Sequence, residues 1–299
     1  MERRQFGKTD MTVSVLGFGG AEIGFEGADD ATVSALLHDA LDAGLNVIDT
    51  AECYVDSEEK IGRALSGRRN DFYLFTKCGH PEGAGTTPNW RPESLLASME
   101  RSLQRLQTDC VDLIQLHSCD ESDLRQGDVI AALQTMKSKG QTRYLGYSGD
   151  GQAALYAIEC GAFDTLQTSA NLADQECIDL TLSKAKEHNI GVIAKRPIAN
   201  AAWRYPTLPA NAYHQDYWKR LQALKYDFLS SDPETIAETA LRFTLGLPAV
   251  GTMIVGTKNP KRWRENAEVV AKGALPREQF EAIRRRWVEV AEASWVGLT

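Results

Sequence analysis

The stretch VDLIQLHSCDESDLRQGDVIAALQTMKSKGQTRYLGYSGD, residues 111–150, decides the fold. Two short apolar runs, Val111–Leu116 and Thr142–Gly146, flank a longer segment with helical periodicity. A strand, a helix and a second strand in that order form a parallel βαβ unit, because parallel neighbours need a long crossover between them. The alternation continues in both directions and predicts further strands at Val13–Leu16, Asn46–Asp49, Phe72–Thr76, Thr165–Thr168, Gly191–Ala194 and Met253–Val255. Amphipathic segments such as ATVSALLHDALDAG, PESLLASMERSLQRLQ and TIAETALRFTLGL lie between them, several stopping at glycine. Eight strands alternating with helices predict an α/β fold, a closed (β/α)8 TIM barrel, read as one domain over residues 1–299. RRQFGKTDMTVS, ahead of the first strand, is expected to form a short N-terminal β-hairpin over the barrel floor, and REQFEAIRRRWVEVAEA an additional C-terminal helix.

Composition narrows the partners. With 43% hydrophobic and 25% charged residues the chain can bury a large core. A net charge of -8 argues against a broad electrostatic grip on nucleic acid or an anionic membrane, so a small molecule is the expected partner. Neither a signal peptide nor a membrane anchor is read from the sequence, and a cytoplasmic location is expected. The six cysteines show neither C-x-x-C pairs nor zinc-finger spacing and read as reduced thiols. A monomer or small homo-oligomer is allowed.

Active sites of such barrels assemble at the C-terminal ends of the strands. Asp49, Lys77 and His117 end three adjacent strands there, and Tyr54 follows Asp49 by five residues. A free phenol has a pKa of about 10, too high for an efficient acid at neutral pH. A lysine about 4 Å away would attract the phenolate by about 4 kcal/mol at an effective dielectric near 20, a downward shift of up to about three units. Aspartate would orient that lysine, and histidine could donate to a carbonyl oxygen. Such a set suits proton donation to a developing alkoxide. The long connection 199–232, with NAAWRYPTLPANAYHQDYW, and the loop GHPEGAGTTPNWRPES place Trp90, Trp203 and Tyr205 at the mouth, and Trp295 lies in the C-terminal tail; these four are read as an apolar substrate pocket.

In NVIDTAECYVDSEEKIG, LFTKC, VDLIQLH, LGYSG and MIVGTKNPKRWREN the chain resembles the aldo-keto reductase family, of bacterial type, along essentially its whole length. The resemblance implies a catalytic tetrad of Tyr54, Lys77, Asp49 and His117, reducing aldehydes or ketones with NADPH, NADH being possible. It also implies that Thr257 and Arg262 contact the adenosine 2'-phosphate, that Glu265 and Asn266 lie near the adenine, and that Ser148 and Gln167 hold the nicotinamide carboxamide. Lys258, Lys261 and Arg262 open a helix whose positive dipole end disfavours cations, a conflict that a bound phosphate resolves. Where many members carry a lysine for the 2'-phosphate this chain has Gly256; Gly149 replaces a frequent asparagine; Val55 replaces a frequent glycine. Lys195 stands where an aromatic often stacks on the nicotinamide, and Lys195 or Arg196 is expected to meet a pyrophosphate or an anionic substrate group.

GFGGAEIG, residues 17–24, hints at a dinucleotide fingerprint, but Glu22 stands in place of the third glycine. Gly19 and Gly20 are read as a backbone wall for the cofactor, with close approach as the plainer use of the glycines. Two other classes stay open: an NADPH-sensing regulatory subunit with little turnover, and a metal-dependent barrel hydrolase using Cys53, Cys78, Cys119 and His117. Alternation along the third strand points Cys78 away from Lys77, which disfavours the metal. Cys53 or Cys119 is instead expected to be open to oxidation.

Overall fold

The computed structural model describes residues 1–81 and 87–298. Among the described residues ten strands are formed: β1 (Arg3–Gln5), β2 (Thr12–Ser14), β3 (Leu16–Gly19), β4 (Val47–Asp49), β5 (Tyr73–Cys78), β6 (Val111–His117), β7 (Thr142–Ser148), β8 (Thr165–Ser169), β9 (Gly191–Lys195) and β10 (Val250–Val255). Strands β3 to β10 close a parallel barrel, and β1 and β2 form a separate antiparallel hairpin. Helices follow the strands on the outside, and Arg277–Val290 is the added C-terminal helix. Among the described residues no helix is long and apolar enough to cross a membrane.

The first barrel strand departs from the expected Val13–Leu16. Val13 pairs antiparallel with Arg4 in the hairpin, whereas Leu16 pairs parallel with Met253 in the barrel, so the chain changes partner at Val15. The strand then runs into glycines that read as loop. Gly17 can sit in the wall because an added Cβ would approach the Val47 side chain to 3.1 Å. The connection after β9 also differs, since residues 199–232 contain a helix, Ala212–Leu224, between two short 3-10 turns. Pro206 and Pro209 conceal it in the sequence, but Asn211 caps it by accepting from the Tyr213 amide at 3.0 Å.

The barrel interior is layered by the two-residue period of a strand. At the bottom Val47, Phe75, Leu113 and Ile193 join Phe6, Met11 and Val13 of the hairpin in one apolar cluster. Phe6 is fully buried and stacks on Phe75 with ring centroids 6.0 Å apart. Two residues further along the same strands, the same face presents Asp49, Lys77 and Gln115. Gly146 leaves room for this polar layer, since a Cβ there would lie 2.9 Å from Gln115 Cγ. The hairpin thus seals the floor beneath the polar groups. Phe6→Ala is expected to lower stability by about 3 kcal/mol, measured by denaturant unfolding. A loss below about 1 kcal/mol would mean that the hairpin lies outside the cooperative unit.

Candidate active site

Asp49 ends β4, Lys77 lies one residue before the end of β5, His117 ends β6, and Tyr54 sits in the turn that follows β4. Lys77 Nζ donates to Asp49 Oδ1, to the Thr50 carbonyl at 2.8 Å and to the Tyr54 hydroxyl at 3.5 Å. The ammonium also lies 4.9 Å from the centre of the Tyr54 ring. Asp49 Oδ2 accepts from Gln115 Nε2 at 3.1 Å and Gln167 Nε2 at 2.9 Å, and Gln167 in turn accepts from Ser148 Oγ at 3.0 Å. A hydrogen-bonded line therefore runs from buried Ser148 through Gln167, Asp49 and Lys77 to the part-buried Tyr54. Gln115 and Thr50 were absent from the sequence reading. Alternation from Leu113 would have placed Gln115 inside, but an amide carries no signal of function by itself.

Tyr54 corrects the expectation about its pKa. Burial, followed by the charge of Asp49, holds the phenol well above its ordinary value. Lys77 does not reverse this, because Asp49 neutralises it and its ammonium is shared with a carbonyl. His117 is pushed well below the ordinary histidine range by burial and then by Lys77, and is a neutral imidazole. Its Nδ1 lies 3.5 Å from Cys53 Sγ, and its ring stands edge-on to Tyr54 at 5.8 Å between centroids.

Close approach explains the glycines after β3. A Cβ on Gly24 would overlap the Tyr54 carbonyl, and one on Gly20 would lie 2.7 Å from Ser57 Oγ. These positions let the first loop press on the turn that carries the tyrosine. Val55, next to Tyr54, adopts φ +52°, Ser118, next to His117, φ +65°, and Arg196, after β9, φ +57°. The valine thus holds the left-handed turn that glycine would hold without strain.

Other expected residues are distributed around the rim. Glu22 packs directly over Gly256, where a Cβ would overlap its carboxylate, and burial pushes Glu22 up to about 7. Lys258 pairs with Glu26 at 3.0 Å, Arg262 with Glu265 at 3.5 Å, Thr257 Oγ1 accepts from the Asn259 amide at 3.0 Å, and Asn266 is buried. The helix Pro260–Ala271 has no acidic residue in its first turn. Lys195 pairs with buried Asp150 at 2.9 Å, and Arg196 donates to the Leu298 carbonyl and lies over the Tyr213 ring at 5.0 Å. Both cations are thereby held by the fold itself.

Of the four aromatics, the structure brings Trp90 to the tetrad, through His80. Tyr205 lies against His214 at 5.2 Å, Trp203 is partly buried in the outer core, and Trp295 packs on Trp287 at 5.4 Å. Residues 82–86 of the loop before Trp90 lie outside the described residues. Cys119 is buried, and burial pushes the thiols of Cys53 and Cys119 up to about 11 and about 12. Neither is an activated thiolate, contrary to the oxidation-prone reading. Cys78 is buried against the Gln115 carbonyl, and no cluster of His, Cys, Asp or Glu among the described residues could hold a metal.

A parallel barrel whose mouth joins tyrosine, lysine, aspartate and histidine defines a class of oxidoreductase, and known proteins agree. The sequence matches the Aldo/keto reductase family over residues 15–287, and the chain belongs to that family. It is 28% identical to an L-galactose dehydrogenase of Arabidopsis thaliana, covering 90% of this chain and 88% of that protein. It is 25% identical to a D-threo-aldose 1-dehydrogenase of a Pseudomonas species, covering 95% and 94%. The holo form of an aldo-keto reductase from Bacillus halodurans superposes with a TM-score of 0.84 at 26% identity, covering 98% of this chain and 97% of that one. The family generally uses a nicotinamide cofactor.

The strained turn beside Tyr54 yields a measurable consequence. Relief of the left-handed strain outweighs the added freedom of the unfolded chain, so Val55→Gly is expected to raise stability by about 1 kcal/mol. Thermal unfolding checks this, and a loss of stability would show that the valine side chain is instead held by packing.

Proposed function

We propose that the chain reduces aldehydes or ketones to alcohols with NADPH, Tyr54 giving the proton. The observation that carries this reading is the Tyr54 hydroxyl, which accepts from Lys77 and gives its own proton to no described residue. A part-buried O–H held by the lysine with its own proton given to no described residue is a donor available to a ligand. Its raised pKa keeps it protonated across neutral pH, and a developing alkoxide is more basic still. After transfer, the adjacent ammonium of Lys77 stabilises the phenolate, and Asp49 keeps that ammonium charged and in place. His117 is neutral, and the protonated Cys53 thiol can donate to its Nδ1, leaving the ring proton on Nε2 for the carbonyl oxygen.

The residues around the rim fit a nicotinamide dinucleotide. Lys258, Lys261 and Arg262 surround a helix start without acids, a donor set suited to phosphate, and Thr257, Glu265 and Asn266 complete that end. Ser148 and Gln167 offer amide-binding groups beside the tetrad, whereas Gly19 and Gly20 are buried and Gly20 spends its amide on the Asp49 carbonyl and its carbonyl on Ser57 Oγ, which leaves close approach as the use of these glycines. When bound, the reduced nicotinamide supplies a hydride to the carbonyl carbon. Relatives named as dehydrogenases of L-galactose and a D-threo-aldose support alcohol–carbonyl interconversion as the reaction.

Tyr54→Phe is expected to lower kcat for aldehyde reduction by roughly 10²-fold while leaving the Kd for NADPH unchanged. Full activity of this variant would remove Tyr54 from the mechanism. Glu22, packed over Gly256, adds a pH dependence. Its carboxyl, pushed up to about 7, is neutral below that pH and anionic above it, so affinity for an anionic cofactor should fall as pH rises through about 7. Between pH 6 and pH 8 the Kd for NADPH should weaken by on the order of fivefold more in wild type than in Glu22→Gln. The comparison cancels titration of the cofactor's own phosphate. Parallel profiles would place Glu22 away from the bound phosphates.

A further inference from the structure

Two glutamates flank Tyr54 in the chain, and the reaction proposed above uses neither. Glu52 precedes the tyrosine by two residues and Glu58 follows it by four. They are only 2% and 1% exposed, a rare place for glutamate and a costly one unless each carboxylate is paired and hydrogen-bonded. Both find their partners outside the turn itself, on the neighbouring strand β5 and on the helix Pro92–Leu106 that packs beside it.

The helix meets them with a polar stripe. Ser98, Arg101 and Arg105 stand three and seven residues apart, on one face, where a helix packed on a barrel ordinarily presents apolar side chains. Glu52 is held through both oxygens. Oε1 accepts from Arg101 Nε at 2.7 Å and pairs with Nη2 at 2.6 Å, while Oε2 accepts from Ser98 Oγ. The Glu52 amide also donates to the Lys77 carbonyl at 3.3 Å, so this one residue joins the tyrosine turn, the lysine strand and the helix. On the other side of the tyrosine, Glu58 accepts from Thr76 Oγ1 at 2.6 Å, next to Lys77, and lies 3.6 Å from Arg105.

Resting on the reductase reading, we propose that Glu52, fixed by Ser98 and Arg101, is a positioning residue that sets where the Tyr54 hydroxyl lies. Lys77 reaches that hydroxyl only at 3.5 Å, too long a contact to fix it, so its place is inherited from the backbone of the turn. The turn is tightly bonded: the Tyr54 amide donates to the Ala51 carbonyl at 3.1 Å, and the Ser57 amide to the Tyr54 carbonyl at 3.0 Å. A displacement of Glu52 is therefore passed to the tyrosine two residues on. Proton transfer needs its two heavy atoms within about 3 Å, and a misplacement of about 1 Å caused far from the chemistry can cost about 10²-fold in rate. Directional contacts on both oxygens of one carboxylate hold an angle that apolar packing would leave loose.

The test is a double-mutant cycle on kcat for NADPH-dependent reduction of a panel of small and aromatic aldehydes. Arg101→Met, Arg101→Lys and Ser98→Ala are each made in wild type and in Tyr54→Phe. In wild type, Arg101→Met should lower kcat roughly tenfold with the Kd for NADPH unchanged, and Arg101→Lys should recover a large part of the loss. Ser98→Ala, which keeps the ion pair and serves should Arg101→Met fail to fold, should lower kcat roughly threefold. In Tyr54→Phe the same substitutions should lower kcat by about twofold at most, because the hydroxyl they aim is gone. An unchanged kcat in the variants that fold, or equal losses with and without the Tyr54 hydroxyl, overturns the proposal while leaving the reductase reading intact. Absence of wild-type turnover with every aldehyde and either nicotinamide cofactor, despite cofactor binding, overturns the reductase reading itself and this proposal with it.

Discussion

The site depends on one buried ion pair, Asp49 with Lys77, in which both residues are only 1% exposed. Taking two charges out of water costs several kcal/mol per ion, and their mutual attraction offsets this only when further hydrogen bonds satisfy the remaining donors and lone pairs. Each supplementary partner here has a structural origin. Thr50 offers its carbonyl because the chain leaves β4 immediately after the aspartate. Gln115 and Gln167 come from strands β6 and β8 and converge on one carboxylate oxygen, which a barrel permits and a flat sheet would not. Gly146 leaves the room that Gln115 takes up, and Phe6 of the hairpin keeps water from the floor below.

The rim is shaped by strain and close approach. Strands deliver Asp49, Lys77 and His117 with little freedom, but Tyr54 lies in a turn and must be aimed. Val55 at positive φ folds that turn back over the mouth, and Gly20 and Gly24 let the loop after β3 press on it from behind. Left-handed residues recur after β6 and β9, at Ser118 and Arg196, where the chain turns sharply from a strand. Non-glycine residues persist in such conformations only when their surroundings over-determine them, and such residues cluster at functional sites.

Most of the architecture was legible because it follows from two periodicities. The alternation of strand and helix gave the barrel, and the polar residues ending adjacent strands gave the tetrad. Reading failed where a local signal was ambiguous. Glycines in β3 concealed a strand, and prolines before Ala212 concealed a helix. The Tyr54 pKa is hidden in the sequence, which shows the nearby lysine but neither the burial that raises the phenol nor the contact by which Asp49 offsets the lysine charge.

A second buried ion pair shows why the first points to chemistry. Asp150 and Lys195 meet at 2.9 Å across the mouth, and Asp150 also accepts from Thr168 Oγ1 and the Ser169 amide, each at 2.7 Å. Around them the tail is fastened: Ser169 Oγ donates to the Leu298 carbonyl at 2.8 Å, Arg220 to the Val296 carbonyl at 2.7 Å, and the Leu298 amide to Asp174 at 3.2 Å. Burial, followed by the charge of Asp150, pushes Asp174 up to about 7. Lys195, Ser169, Arg220 and the Leu298 amide each end on an acceptor within the protein, so the group fastens the tail. The Asp49–Lys77 line instead ends on a hydroxyl whose proton has no acceptor among the described residues. Burial and an ion pair are common to both; the Tyr54 proton, given to no described residue, is what distinguishes the first.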